Sequence, residues 1–413
     1  MARNRALAVA TTILTRLCTL AAYGASSLAP SRAGRWVYGA DGGDRFVGNP
    51  KYAFLHAATE RDDVRAIWLS TDGDVVETLR EAGYEAYDAG SARGLLHTLL
   101  AEYVFVSHGP ADVTWWATGG ADVVQLWHGV PIKTVGDHLD REWSLVGRFF
   151  FRLTGSNWAY HVTTGEAVGP VVQEAYRQPE ESVLPVGYPR NDVLRGEVED
   201  ADLGVDDAVL RRVRDLGRDH PVAFYMPTWR EWSDDVDHGG VPLDDAVDFR
   251  ALDESFAARD AYLIVKLHPR ERLAVDLDEL EHVVELPADT DPYPLLEHVD
   301  ALVTDYSSIY VDFLVTDDPV VFYPYDLPSY RDHPGFEFDY GEVTPGPTPT
   351  DFAAFQGALL EAIDGTDEYA ADRARVRDRF VDHPDGSAAA RLARRLLDEP
   401  PTSTTENQHR PAT

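Results

Sequence analysis

Only three of the 37 basic residues in this 413-residue chain are lysines, Lys51, Lys133 and Lys266, and each lies in a segment rich in binding residue types. The segments are Asn49-Pro50-Lys51-Tyr52, Trp127-His128-Gly129-Val130-Pro131-Ile132-Lys133 and Lys266-Leu267-His268-Pro269. A compact ammonium serves as a point charge for an anion, whereas the guanidinium used everywhere else is a planar fork. A fourth segment, Thr304-Asp305-Tyr306-Ser307-Ser308, has hydroxyls where a helix is expected to open. Hydroxyls, free backbone N–H groups and the positive end of a helix dipole together form a seat for phosphate, with a plain N-cap as the competing reading. His268, Arg230 and Lys266 follow neighbouring strands and would neutralise a pyrophosphate there.

Those segments need a frame. After residue 35 the chain alternates short β-branched and aromatic runs with helix-like stretches, the pattern of α/β proteins with parallel sheets. A first series of strands is predicted at 36–38, 66–69, 103–106, 123–126 and 183–186, and a second at 222–225, 262–265, 283–286, 301–303 and 320–323. The charge-dense stretch 196–220 lies between them. The expected organisation is a basic arm over 1–35, an N-terminal Rossmann-like domain over 36–195, a linker over 196–220, a C-terminal domain over 221–398 and a disordered Pro/Thr/Ser-rich tail over 399–413. His128-Gly129, Thr228-Trp229-Arg230, His268, the Thr304 cluster and Tyr325-Asp326 all follow strands. Open α/β sheets bind ligands beyond the carboxyl ends of their strands, so these five clusters converge on one cleft.

Seven segments in order resemble the CDP-glycerol glycerophosphotransferase family, the enzymes that prime and polymerise teichoic acid. They are Gly48-Asn49-Pro50-Lys51-Tyr52, Gln125 to Lys133, Gly187-Tyr188-Pro189-Arg190-Asn191-Asp192-Val193-Leu194, Pro227-Thr228-Trp229-Arg230, Leu267-His268-Pro269, Thr304 to Ser308, and Phe322-Tyr323-Pro324-Tyr325-Asp326-Leu327. The resemblance implies a GT-B architecture, two Rossmann-like domains facing across a cleft, with the donor nucleotide held mainly by the C-terminal one. It also implies attack by an acceptor hydroxyl on the β-phosphorus of CDP-glycerol, or a related CDP-alcohol, with release of CMP. His128 then stands as general base, the alternative being a histidine that only hydrogen-bonds the acceptor, and His268 clamps the transferring phosphoryl group. Arg230, Thr228, Lys266, Thr304, Asp305, Ser307, Ser308 and Asp326 stand on the donor side. Trp127, Gly129, Lys133, Asn49, Lys51, Arg190 and Asp192 stand on the acceptor side, although Asn191 and Asp192 read equally as a turn and Asp326 as a strand end. The pattern departs at His333-Pro334-Gly335-Phe336, where the family has Arg-Gly-Phe, so a basic donor contact is missing or comes from Arg331.

Composition narrows the partners. A net charge of −34 opposes general nucleic-acid binding, and an Asp-rich, Lys-poor surface fits a cytoplasm at molar salt, suggesting a salt-loving archaeal source. The single Cys18 allows no intrachain disulfide. Asp72-Gly73-Asp74 and Asp289-Thr290-Asp291 have the letters of a metal-binding pair without a third ligand nearby, and metal-independent transfer without cofactor is expected. The first forty residues hold five arginines and no acid before Asp41. With an apolar stripe from Leu7 to Leu20, they suit an amphipathic helix on an anionic leaflet, ahead of a packed first helix or a cleaved signal. That places the enzyme on the cytoplasmic face of the membrane, beside a lipid-linked polyol-phosphate or glycan acceptor. A GT-B sugar transferase and a non-catalytic cell-surface assembly protein remain as alternatives.

Overall fold

The computed structural model describes residues 15, 17–139, 158–230, 242–268, 270–271, 273–332 and 334–398. Two all-parallel sheets carry the fold. The first has seven strands in the order β3-β2-β1-β4-β5-β6-β7, comprising β1 (Arg35–Tyr38), β2 (Arg65–Ser70), β3 (Ala86–Asp88), β4 (Tyr103–Val106), β5 (Asp122–Gln125), β6 (Tyr160–Val162) and β7 (Val183–Leu184). The second has five in the order β10-β9-β8-β11-β12, comprising β8 (Val222–Tyr225), β9 (Tyr262–Val265), β10 (Val283–Glu285), β11 (Ala301–Thr304) and β12 (Val320–Phe322). In both, the central strands are apolar on both faces because helices cover them on each side. This is the GT-B arrangement, and the strand order reverses at β1/β4 in one sheet and β8/β11 in the other, which is where such sheets bind ligands.

All ten expected strands are present. β3 and β6 were not expected: β3 is a three-residue edge strand, and β6 carries His161 at its centre, which breaks the apolar run. The stretch 196–220 is more than a linker. Asp206 caps a helix at Asp207–Asp219, accepting from the backbone N–H groups of Ala208 and Val209, and the helix buries Leu210 and Val213. The C-terminal helix Ala388–Asp398 belongs by packing to the first sheet, since the Tyr103 hydroxyl donates to its Leu396 carbonyl at 3.2 Å. The 221–398 range therefore does not follow the packing to its end.

Residues 1–14 of the arm and the tail from 399 lie outside the described residues. Residues 17–26 are helical and end packed against the first sheet's unit. Tyr23 meets Trp115 at 5.9 Å between ring centroids, and the Ser26 hydroxyl accepts from the Gly119 N–H at 2.9 Å. Among the described residues no helix is long and apolar enough to cross a membrane.

Candidate active site

His128 projects from the turn after β5. Trp127 adopts a left-handed conformation at φ 58°, an uncommon geometry for a bulky residue, and the constraint is imposed from around it. The Gln125 side chain accepts from the Trp127 N–H, the Asn49 amide donates to the Leu126 and Trp127 carbonyls at 3.0 and 2.9 Å, and Arg190 donates to the His128 carbonyl at 2.9 Å. Gly129 has φ 157°, which a side chain would strain, and a Cβ there would stand 2.2 Å from the Ser308 hydroxyl oxygen, so the first sheet's loop comes close to the second sheet's unit at this point.

His128 is exposed at the cleft, with the His108 and Trp127 rings stacked against its own. Desolvation, followed by the neighbouring His108, pushes its imidazole down to about 3, so it is neutral at physiological pH. Its Nδ1 lies 3.2 Å from the Ser107 carbonyl. A carbonyl only accepts, so Nδ1 carries the hydrogen and Nε2 keeps a bare lone pair.

His268, after β9, has the opposite tautomer. Its Nδ1 accepts the Arg270 backbone N–H at 3.2 Å, leaving the hydrogen on Nε2 as a donor. The ring stacks on Trp229 with centroids 5.2 Å apart, and desolvation, then Arg270 and Lys266, holds its pKa below the usual histidine range. Two histidines on facing sheets thus present a lone pair and a donor.

Several donor-side residues are already committed within the protein. Arg230 is buried, gripping Asp326 with two donors at 3.0 and 2.9 Å and Asp305 with a third at 2.5 Å, and it also donates to the Thr228 carbonyl. Asp305 further accepts from the Thr228 N–H, and Asp326 from the Tyr306 hydroxyl. With both carboxylates and the guanidinium so occupied, this triad is a strut under the cleft floor and not an open clamp. Thr304 is buried and donates to the Met226 carbonyl, while Lys266 donates to the Ala288 carbonyl at 2.8 Å. Ser307 and Ser308 are half-buried, with Ser308 at the N-cap position of a short helix at Ile309–Phe313 and without a side-chain capping bond.

Lys133 is the cation placed differently. It is half-buried, among the described residues no carboxylate lies within ion-pair distance, and its ammonium sits 5.8 Å from the centroid of the Tyr330 ring. Burial pushes its pKa down to about 8, and its charge is felt at both His128 and His268.

On the acceptor side, three of the expected residues are engaged within the protein. Lys51 is fully buried and donates to Asp291 at 3.0 Å, joined there by the Tyr52 hydroxyl at 3.1 Å, so it ties the two sheet units together. Asn49 is the brace of the His128 turn. Asp192 accepts from the Ala388 and Ala389 N–H groups at 2.8 and 2.9 Å and thereby caps the C-terminal helix. Arg190 pairs with Asp312 at 2.5 Å across the units, and Trp127 packs against Trp158, His161 and Tyr176. The Asp-x-Asp pairs are likewise in use: Asp72 caps the helix Gly73–Glu81, and Asp291 holds Lys51. His108, which the sequence did not single out, stacks on His128 at 4.4 Å and 5°.

Residues 21–398 match the model of the family CDP-Glycerol:Poly(glycerophosphate) glycerophosphotransferase. The chain is 27% identical over 364 residues to the teichoic acid glycerol-phosphate transferase of Staphylococcus aureus (strain NCTC 8325 / PS 47), covering 86% of this chain and 90% of that protein. It is 26% identical over 368 residues to the teichoic acid poly(glycerol phosphate) polymerase of Staphylococcus epidermidis (strain ATCC 35984), spanning 86% of this chain and 49% of that longer protein. Among solved structures, a variant of the wall teichoic acid polymerase TagF soaked with CDPG superposes with a TM-score of 0.76 at 22% identity over 98% of both chains, a likeness of fold.

Proposed function

Because the chain belongs to the CDP-glycerol:poly(glycerophosphate) glycerophosphotransferase family and is thereby a phosphotransferase, we propose how its cleft moves glycerol phosphate from CDP-glycerol to an acceptor hydroxyl. The acceptor O–H gives its proton to His128 Nε2 as its oxygen forms a bond to the β-phosphorus. The bond from that phosphorus to the bridging oxygen breaks, and CMP leaves with the electron pair. His268 Nε2–H donates to a phosphoryl oxygen, and Lys133, with the Ser307 and Ser308 hydroxyls, stabilises the charge on the pyrophosphate. The observation that carries this reading is the opposed tautomer pair, a lone pair on one wall and a donor on the other. Charge is balanced by these side chains without a metal or cofactor.

A base with a depressed pKa is useful here because a doubly anionic donor in the cleft raises it toward neutrality. The acceptor is a polyol phosphate or glycan terminus at the cytoplasmic membrane surface. The exposed Leu17 and Leu28, beside an arm free of acidic residues, support attachment to an anionic leaflet.

The test is CMP release from CDP-glycerol. His128→Ala lowers kcat by about 10²–10⁴-fold and leaves donor affinity within a few-fold, while the wild-type kcat/KM falls in acid, where the base can no longer take the acceptor's proton. A variant retaining a tenth or more of the rate removes His128 from the role of base. Release of a different nucleotide from a nucleotide-sugar would make the chain a sugar transferase instead.

A further inference from the structure

The loop after β4 is built around one carboxylate. Asp112 is fully buried and its Oδ2 accepts from the Ser107 and His108 backbone N–H groups at 2.7 and 2.8 Å, from the Gly109 N–H at 3.4 Å and from the Ser107 hydroxyl at 3.2 Å, while its Oδ1 accepts from the Gly42 N–H at 2.8 Å. The Ser107 hydroxyl has one hydrogen, and it points at Asp112. Its oxygen is then the acceptor for His108 Nδ1, 3.0 Å away. The Ser107 carbonyl meanwhile accepts from His128 Nδ1. A single serine thus holds two imidazoles by the same ring atom, and their planes lie 5° from parallel with centroids 4.4 Å apart. With both Nδ1 atoms anchored, both Nε2 atoms face away from Ser107 and both lack a hydrogen.

We propose that His108 is a positioning residue that also gates the base: stacked on His128 and anchored to the same serine, it fixes the plane and tautomer of His128 and disables it on taking up a proton. The reading rests on His128 being the base. Two imidazolium rings at this separation repel, so a proton on His108 opposes the transfer of the acceptor's proton to His128. The remaining charges near the pair do not cancel this effect. Arg190 and Lys133 are both cationic, Arg190 being held by Asp312, and the Asp112 carboxylate is shared among five donors. The outcome is a base that fails in two protonation steps instead of one as the medium acidifies.

The pH dependence of kcat/KM for CMP release from CDP-glycerol, with a soluble glycerol-phosphate acceptor, tests the proposal on the full chain. His108→Phe keeps a flat ring on His128 without a titratable nitrogen, and His108→Gln keeps a donor for the Ser107 hydroxyl. Both lower kcat at pH 8 by about three- to tenfold through lost alignment, below the range of a lost base. Both also make the acid limb shallower, one proton instead of two, and move it to lower pH, with donor KM unchanged. His108→Gln serves in place of His108→Phe if the aromatic variant does not fold. An acid limb that superposes on wild type in the folded variants overturns the gating role while leaving His128→Ala inactive. Activity surviving in His128→Ala overturns the base itself.

Discussion

At the scale of single residues, position in the chain told less than hydrogen-bond partners. Arg230 follows a strand and reads as a phosphate clamp, but its Nε, Nη1 and Nη2 each already donate to a protein acceptor. Sequence shows the residue type and its address, not the carboxylates that Asp305 and Asp326 bring from 75 and 96 positions away. The expected consequence is a stability phenotype: Arg230→Ala leaves two buried carboxylates unpaired and costs about 3–5 kcal/mol, read as a lower urea midpoint, whereas a donor contact would change KM alone. Lys133→Met, in contrast, leaves the midpoint near wild type and weakens donor binding. A buried group gives a second residue-scale prediction. His161 lies among Trp127, Trp158 and Tyr176 with neither ring nitrogen hydrogen-bonded, and burial pushes it down to about 3. The folded state then refuses a proton that the unfolded chain accepts below about 6.5, so stability falls as pH drops from there toward 3, by up to about 1.4 kcal/mol per unit. His161→Phe should flatten that slope in unfolding curves measured at pH 7 and pH 4.5.

At the scale of elements, the ten expected strands were legible because buried parallel strands are continuous apolar runs, as in Tyr103-Val104-Phe105-Val106 and Tyr262-Leu263-Ile264-Val265. β6 was hidden by its histidine, and the helix at 207–219 by a sequence with only Leu210 and Val213 buried amid charge. The crossing of the C-terminal helix to the first sheet left no local signal at all. Its cap, Asp192, is almost 200 residues upstream, so the Gly187 to Leu194 motif reads as a turn until the partner is seen. Asp192→Ala should therefore cost about 0.5–2 kcal/mol, the range for a lost N-cap, with the active-site rate constants little changed. A large loss of kcat with unchanged stability would return Asp192 to the acceptor site.

At the scale of the whole molecule, the arm divides into a part that packs and a part to be tested. Since Tyr23 and Ser26 already hold the chain to the 115–119 loop, removal of residues 1–14 is the clean experiment. The shortened protein should stay folded, act on a soluble acceptor and lose sedimentation with anionic vesicles; undiminished sedimentation would assign attachment to another surface. Across the molecule, the two sheet units are joined by Lys51 on Asp291, by Arg190 on Asp312, by Gly129 against Ser308, and by residues 132–138 lying along 334–337, where Lys133 pairs with Phe336 and Glu337 accepts from Val135. Each contact has one partner in each unit. For anyone who would alter donor choice by grafting a relative's second half onto this first half, these pairs act as a lock: a graft that omits Asp291 and Asp312 strands two buried cations at the seam, so the halves must be exchanged together with their matching residues.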